Sequence, residues 1–217
     1  LQENSDSTQI SNNIIDGGYN YGIYATFSAY LTISQNQITN TSNDGIILDY
    51  NCSSATIDSN TISSNGTFGI KFYRYNSSST VTNNTITNNG SYGIFFYRNN
   101  NNVTIQNNTI TNNGSYGIHL QNTNYNVTIQ DNTIADNTTY GIDLADQSYG
   151  DVIGNLIYNN GEYGIRLYYV NYGDCEVRNN TIDGHTSYGL YWYSYNYSNH
   201  TLDATNNSIT NNVTGIY

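Results

Sequence analysis

An isoleucine stands two positions after an asparagine nine times along this chain, at Ile15, Ile38, Ile62, Ile86, Ile110, Ile134, Ile157, Ile182 and Ile209. A second small or branched apolar residue stands three positions before the same asparagine, at Ile10, Ile33, Ile57, Val81, Ile105, Ile129, Val152, Val177 and Ala204. The asparagines themselves are Asn13, Asn36, Asn60, Asn84, Asn108, Asn132, Asn155, Asn180 and Asn207, one every 23 to 27 residues. Polar residues flank each apolar one, the period-two pattern of a strand with one buried face. A third block follows in every copy, Gly22-Ile23, Gly45-Ile46, Gly69-Ile70, Gly93-Ile94, Gly117-Ile118, Gly141-Ile142, Gly164-Ile165, Gly189-Leu190 and Gly215-Ile216, usually with Tyr or Phe just before the glycine. Each cassette therefore predicts three short strands. Asn-Gly pairs at Asn65-Gly66, Asn89-Gly90, Asn113-Gly114 and Asn160-Gly161 predict turns with positive φ, and the absence of proline leaves every backbone N–H free to pair.

A repeat of this length is one rung of a solenoid, in which each strand pairs in parallel with its copy about 4.8 Å above and below. Equivalent residues then form columns: an Ile/Val core, an inward asparagine ladder, and an aromatic file at Phe68, Tyr92, Tyr116, Tyr140, Tyr163 and Tyr188. A buried asparagine is costly unless its amide is paired, which is a reason for the residue to recur on every rung.

Through its Asn-x-Ile and Gly-Ile-x-Leu blocks the chain resembles the right-handed parallel β-helix repeat proteins of the pectate-lyase-like superfamily, over nearly all of its 217 residues. The resemblance implies an all-β fold, a right-handed parallel β-helix of about nine coils with three short strands per coil, and one domain over 1–217. It implies less about activity, because that superfamily holds polysaccharide lyases, glycosidases, epimerases, phage tailspikes, adhesins and surface-layer components.

Composition narrows the setting. A net charge of −11 with only five Lys or Arg argues against nucleic-acid binding. No apolar run is long enough for a membrane helix. Without Met or a signal peptide, Leu1 is read as a processed terminus or a fragment edge. Sixteen Asn-x-Ser/Thr sequons are present, at Asn40, Asn51, Asn65, Asn76, Asn83, Asn89, Asn102, Asn107, Asn113, Asn126, Asn137, Asn179, Asn196, Asn199, Asn206 and Asn212. They point to a secreted, N-glycosylated protein at the cell surface, with repeat composition as the competing explanation. Sequons Asn65, Asn89, Asn113 and Asn137 share one column, so their glycans are expected to be partial or fanned. The abundance of Asn, Ser, Thr and Tyr with one Lys resembles archaeal surface proteins in composition. Cys52 and Cys175 lie about five rungs apart, roughly 24 Å, too far for a disulfide; Cys175 aligns with core positions.

The ends suggest assembly. The composite Gly215-Ile216-Tyr217 followed by Leu1-Gln2 reads like Gly117-Ile118-His119-Leu120-Gln121. A second copy stacked head to tail would keep register, with residues 1–9 completing a neighbour's last coil and Leu1, Gln2, Ile10, Ile15, Ile209, Ile216 and Tyr217 at the junction. A slice of a longer β-helix would show the same register.

Candidate chemistry is sparse. Lytic members of the superfamily use a basic residue beside calcium-binding carboxylates, and here only Lys71, Arg74, Arg98, Arg166 and Arg178 qualify as basic. Asp151, Glu176 and Asp203 form a carboxylate column, read first as an ion-pair network with Arg178, then as a calcium site, and last as a general acid. His119, Asp143 and Arg166 stack two residues after the glycine, read as a salt ladder. His185 and His200 have no metal-ligand spacing. Outward tyrosines at Tyr73, Tyr97, Tyr168 and Tyr193 could stack on sugars, pack against another protein or simply favour strands. Together these point to a non-enzymatic structural glycoprotein, a subunit of a head-to-tail filament or surface layer without a resident cofactor. A carbohydrate-active or glycan-binding module is the alternative.

Overall fold

The computed structural model describes residues 7–18, 20–146, 148–170, 173–194 and 201–217. Its strands form a right-handed parallel β-helix of three nine-stranded sheets, each sheet taking one strand from every coil. Coil four shows the pattern: Thr80–Thr82 in the first sheet, Thr85–Thr87 in the second and Ile94–Arg98 in the third. Like stacks on like, with Val81 between Ile57 and Ile105, Ile86 between Ile62 and Ile110, and Ile94 between Ile70 and Ile118. Between the two end coils these isoleucine and valine columns are buried, each side chain contributing about 1.5–3 kcal/mol. Phe72 and Phe96 stack inside the third sheet with centroids 4.4 Å apart.

The expected asparagine ladder runs unbroken from Asn13 to Asn207. Within it, Asn84 Nδ2 donates to Asn108 Oδ1 at 3.0 Å, and the Asn84 backbone N–H donates to the same oxygen at 2.9 Å. The other Nδ2 hydrogen is shared between the Ile57 and Thr82 carbonyls, so the buried amide is fully paired. Two more ladders stand at the other corners. One joins Asn65, Asn89, Asn113, Asn137 and Asn160, and the other joins Asn76, Asn100 and Asn124.

These extra ladders correct the glycosylation reading. Asn65, Asn76, Asn89, Asn113 and Asn137 are buried with their Nδ2 atoms bonded inside the rod. An N-glycan needs that nitrogen in solvent, so these five sequons are structural in the folded chain. Asn40, Asn51, Asn83, Asn102, Asn107, Asn126, Asn179 and Asn206 are exposed, all at left-handed turn positions. Asn212 is half-buried at a ladder end, and Asn196 and Asn199 lie outside the described residues.

The Asn-Gly turns are corrected too. The left-handed residue is the one before the asparagine, Ser64, Asn88, Asn112 or Asn159. Glycine is required after it for a different reason: a Cβ at Gly90 would sit 2.2 Å from the Gly66 carbonyl oxygen one coil below. Cys52 and Cys175 are both buried free thiols, and burial pushes the Cys175 thiol up to about 11. At the ends, Ile10, Ile15 and Ile209 pack on the core while Ile216 and Tyr217 are exposed. Leu1 and Gln2 lie outside the described residues.

His185 lies in the turn between Thr181–Asp183 and Tyr188–Tyr193. It takes an asparagine's place in the second ladder, with Nδ1 2.7 Å from Asn212 Oδ1 and Nε2 3.3 Å from Asn160 Nδ2. Both amides are oriented by their bonds to backbone carbonyls, so Nδ1 donates and Nε2 accepts, and the ladder admits only the neutral ring. Burial holds the His185 pKa below its ordinary value, against the raising effects of Asn212 and Asp183. The unfolded chain therefore takes up this proton first. Its contribution to stability is complete above about pH 6.5 and declines as pH falls through the lower folded value. His185→Asn restores the repeat, and urea midpoints at pH 5 and pH 8 are expected to lie closer together in that variant than in the native chain. An unchanged gap would place the acid sensitivity elsewhere.

Candidate functional site on the outer face of the third sheet

The strands of the third sheet are the longest in the rod, up to six residues, as at Tyr140–Ala145, Tyr163–Tyr168 and Tyr188–Tyr193. Alternation sends Ile and Leu inward and leaves the residue two after each glycine outside. That outer column reads Tyr24, Ile47, Lys71, Phe95, His119, Asp143, Arg166 and Tyr191. With Arg74 and Arg98 at the strand ends, this sheet carries four of the chain's five cations.

Its middle is an ion-pair ladder, as the sequence predicted. Arg166 grips Asp143 with both ends of its fork, Nε to Oδ1 at 2.7 Å and a second nitrogen to Oδ2 at 2.8 Å. His119 Nδ1 lies 2.9 Å from Asp143 Oδ2, although its N–H is poorly aligned with that oxygen. Asp143 is fully buried. Burial pushes its carboxyl up, but His119 and Arg166 outweigh that and hold it below the usual range; the same pairing raises the Arg166 guanidinium. Asp143 is therefore ionised and fixes both neighbours.

Aromatic rings wall this ladder on both sides. Tyr92, Tyr116 and Tyr140 stack with centroids 4.8 and 4.7 Å apart, and Tyr163 continues the file at 4.6 Å. His119 lies flat on Phe95 and meets Tyr92 and Tyr116 edge-on, keeping 7% of its surface in solvent. Burial pushes the Tyr140 hydroxyl up to about 12, so it remains a proton donor. On the other side, Tyr73 stacks on Tyr97 at 5.0 Å and Tyr168 on Tyr193 at 5.5 Å. Gln121 and Ala145 interrupt this second file next to His119 and Asp143. The arrangement sets tyrosine files on either side of the His119 imidazole and the Asp143 carboxylate, a pairing suited to proton transfer.

The carboxylate column is placed on the first sheet. Glu176 and Asp203 are register partners, the Glu176 N–H donates to Asp151 Oδ1 at 3.2 Å, and Glu176 pairs with Arg178 at 2.9 Å. Among the described residues no group of three His, Cys, Asp or Glu side chains is gathered that could hold a metal ion. Of the ion-pair network read for this column, the structure shows one pair, Glu176 with Arg178. His200 lies outside the described residues. The arrangement that sequence reasoning missed is the repeated Tyr73-Arg74 and Tyr97-Arg98 pair, one cassette apart and detectable from that spacing.

The chain is a member of the right-handed β-helix family: the family described as "Right handed beta helix region" matches residues 1–106 and 75–213. Among solved structures it is similar to the Azotobacter vinelandii mannuronan C-5 epimerase AlgE4 A-module (TM-score 0.75, 17% identity, 88% of this chain and 56% of that one). It is also similar to the periplasmic alginate epimerase AlgG (0.77, 18%, 87% and 47%) and to pectate lyase Pel9A (0.70, 16%, 92% and 60%). No curated protein sequence matches it. The chain spans about half the length of these structures. These likenesses correct the expectation of a non-enzymatic chain: proteins with this coil geometry include epimerases and lyases of polysaccharides, so sparse candidate chemistry does not argue against activity. No helix among the described residues is long and apolar enough to cross a membrane.

Proposed function

We propose that the chain is a carbohydrate-active β-helix module, working outside the cytoplasm, that lays a polysaccharide across the outer face of its third sheet. One observation carries the reading. In a chain of net charge −11, four of five cations, the imidazole of His119 beside Asp143 and both stacked aromatic files occupy this single sheet. Sugar rings pack on tyrosine faces, and His119, oriented beside Asp143, is the group placed to move a proton, with tyrosine hydroxyls as donors. Lyase or epimerase chemistry is the reaction class this set supports. Incubation with a panel of acidic and neutral polysaccharides should give one substrate that is bound and altered. His119→Ala is expected to retain the fold and lose turnover by about 10²-fold or more, the usual worth of a general base. Binding and turnover that survive loss of His119 and Tyr97 together would refute the assignment.

A further inference from the structure

We infer that Arg74 and Arg98, one above the other on coils three and four, form a two-pronged seat for the acid group of the polysaccharide, which makes the substrate class an acidic one, uronate or sulfated. The inference rests on the third-sheet reading for the polymer, but the seat stands on its own observations.

The two arginines are register partners on adjacent third-sheet strands. Like charges directly opposite on neighbouring strands destabilise a sheet, and this chain has sixteen acidic residues with which to relieve them. None does so among the described residues: ion pairs form at Lys71, Arg166 and Arg178, which leaves Arg74 and Arg98 as the two Lys or Arg side chains without a carboxylate. The nearby acids are engaged elsewhere, Asp49 with the Tyr24 hydroxyl at 2.5 Å and Asp44 with Thr67 and Lys71. The Arg74 Nε is buried and has no hydrogen-bond partner. A charged group without a protein acceptor is costly, and the part of the half-buried Arg74 side chain that reaches solvent can meet an oxyanion there.

The guanidinium groups are also held as a receptor would hold them. Arg74 lies over the Tyr73 and Tyr97 rings at 4.9 and 5.5 Å, and Arg98 over Tyr97 at 5.4 Å. A guanidinium fixed over an aromatic face keeps its N–H edge free for two parallel bonds to one carboxylate or sulfate. The stacked Tyr73 and Tyr97 give the attached sugar ring a surface beside that edge. The coil spacing of about 4.8 Å lets one anion bridge both forks.

The test compares the native chain with an Arg74→Gln, Arg98→Gln double variant, matched for urea midpoint, against polygalacturonate, alginate, a neutral glucan and inorganic sulfate. The native chain should bind an acidic polymer best, and more weakly as salt rises. The double variant should lose about tenfold or more on that polymer, the effect of removing one or two charge-assisted bonds, and nothing on the glucan. Arg74→Lys with Arg98→Lys should recover only part, because an ammonium lacks the fork. Equal binding of acidic and neutral polymers, or an unaffected double variant, overturns the seat and leaves the polysaccharide reading intact. Sulfate binding that the double variant abolishes, with no polymer bound by either chain, retains the seat and overturns the polysaccharide reading. Loss of both removes both.

Discussion

Replacing Asp143 with alanine is expected to cost about 3–5 kcal/mol of stability, the usual penalty for removing one partner of a buried ion pair. The substitution leaves Arg166 charged and half-buried beneath Tyr140 and Tyr168, with its bidentate acceptor gone. It also frees the ring of His119, so activity on the polysaccharide should fall with stability. A double variant, Asp143→Leu with Arg166→Met, removes both charges and should recover most of the stability while remaining inactive, since apolar replacement of a whole buried pair is often neutral. Urea unfolding reads the first effect and turnover the second. If the double variant were as unstable as Asp143→Ala, packing rather than the orphaned charge would be the cause. The pH dependence has a definite sign. The folded pKa of Asp143 is lowered, so its contribution is present above the ordinary Asp value of about 3.9 and is lost as pH falls through the lower folded value.

Asn108→Ala is expected to cost about 2–4 kcal/mol, although it removes no apolar surface. Asn108 Oδ1 is the acceptor for the Asn84 backbone N–H. Without it that buried donor has no partner, a penalty of about 1–3 kcal/mol, and the missing side chain leaves a hole in a packed corner. Thr109→Ser, one residue along on the exposed face, should stay within about 0.5 kcal/mol. Comparable midpoints for the two variants would show that the ladder is ornamental and that isoleucine burial alone holds the coils.

The columns were legible because a parallel solenoid stacks each residue on its own copy, so a fixed offset from one glycine or asparagine is already a statement about contact. Ile86 above Ile62, Tyr116 above Tyr92, and Asp143 between His119 and Arg166 all follow from counting. Direction after a turn was not legible. Asn89-Gly90-Ser91 satisfies turn grammar and the glycan sequon equally, and only the closing of the corner shows that the Asn89 amide points inward. Asn76, Asn100 and Asn124 follow the third strand, where the sequence around them varies from copy to copy, and so showed no pattern. His185 interrupts an asparagine column, and counting offsets does not show that an imidazole can take the amide's place there. The unpaired state of Arg74 and Arg98 is a property of what surrounds them in space, and offset alone gives no sign of it.

The central claim is that the third sheet's outer face is the polysaccharide surface. The most direct measurement is a crystal structure of the chain with an oligosaccharide of the polymer it binds best. The account predicts sugar rings across coils three to eight of that sheet, stacked on Tyr73, Tyr97 or Tyr168, within reach of His119 and with an acid group at Arg74 and Arg98. Sugar bound on the first or second sheet, or only at the end coils, would contradict it.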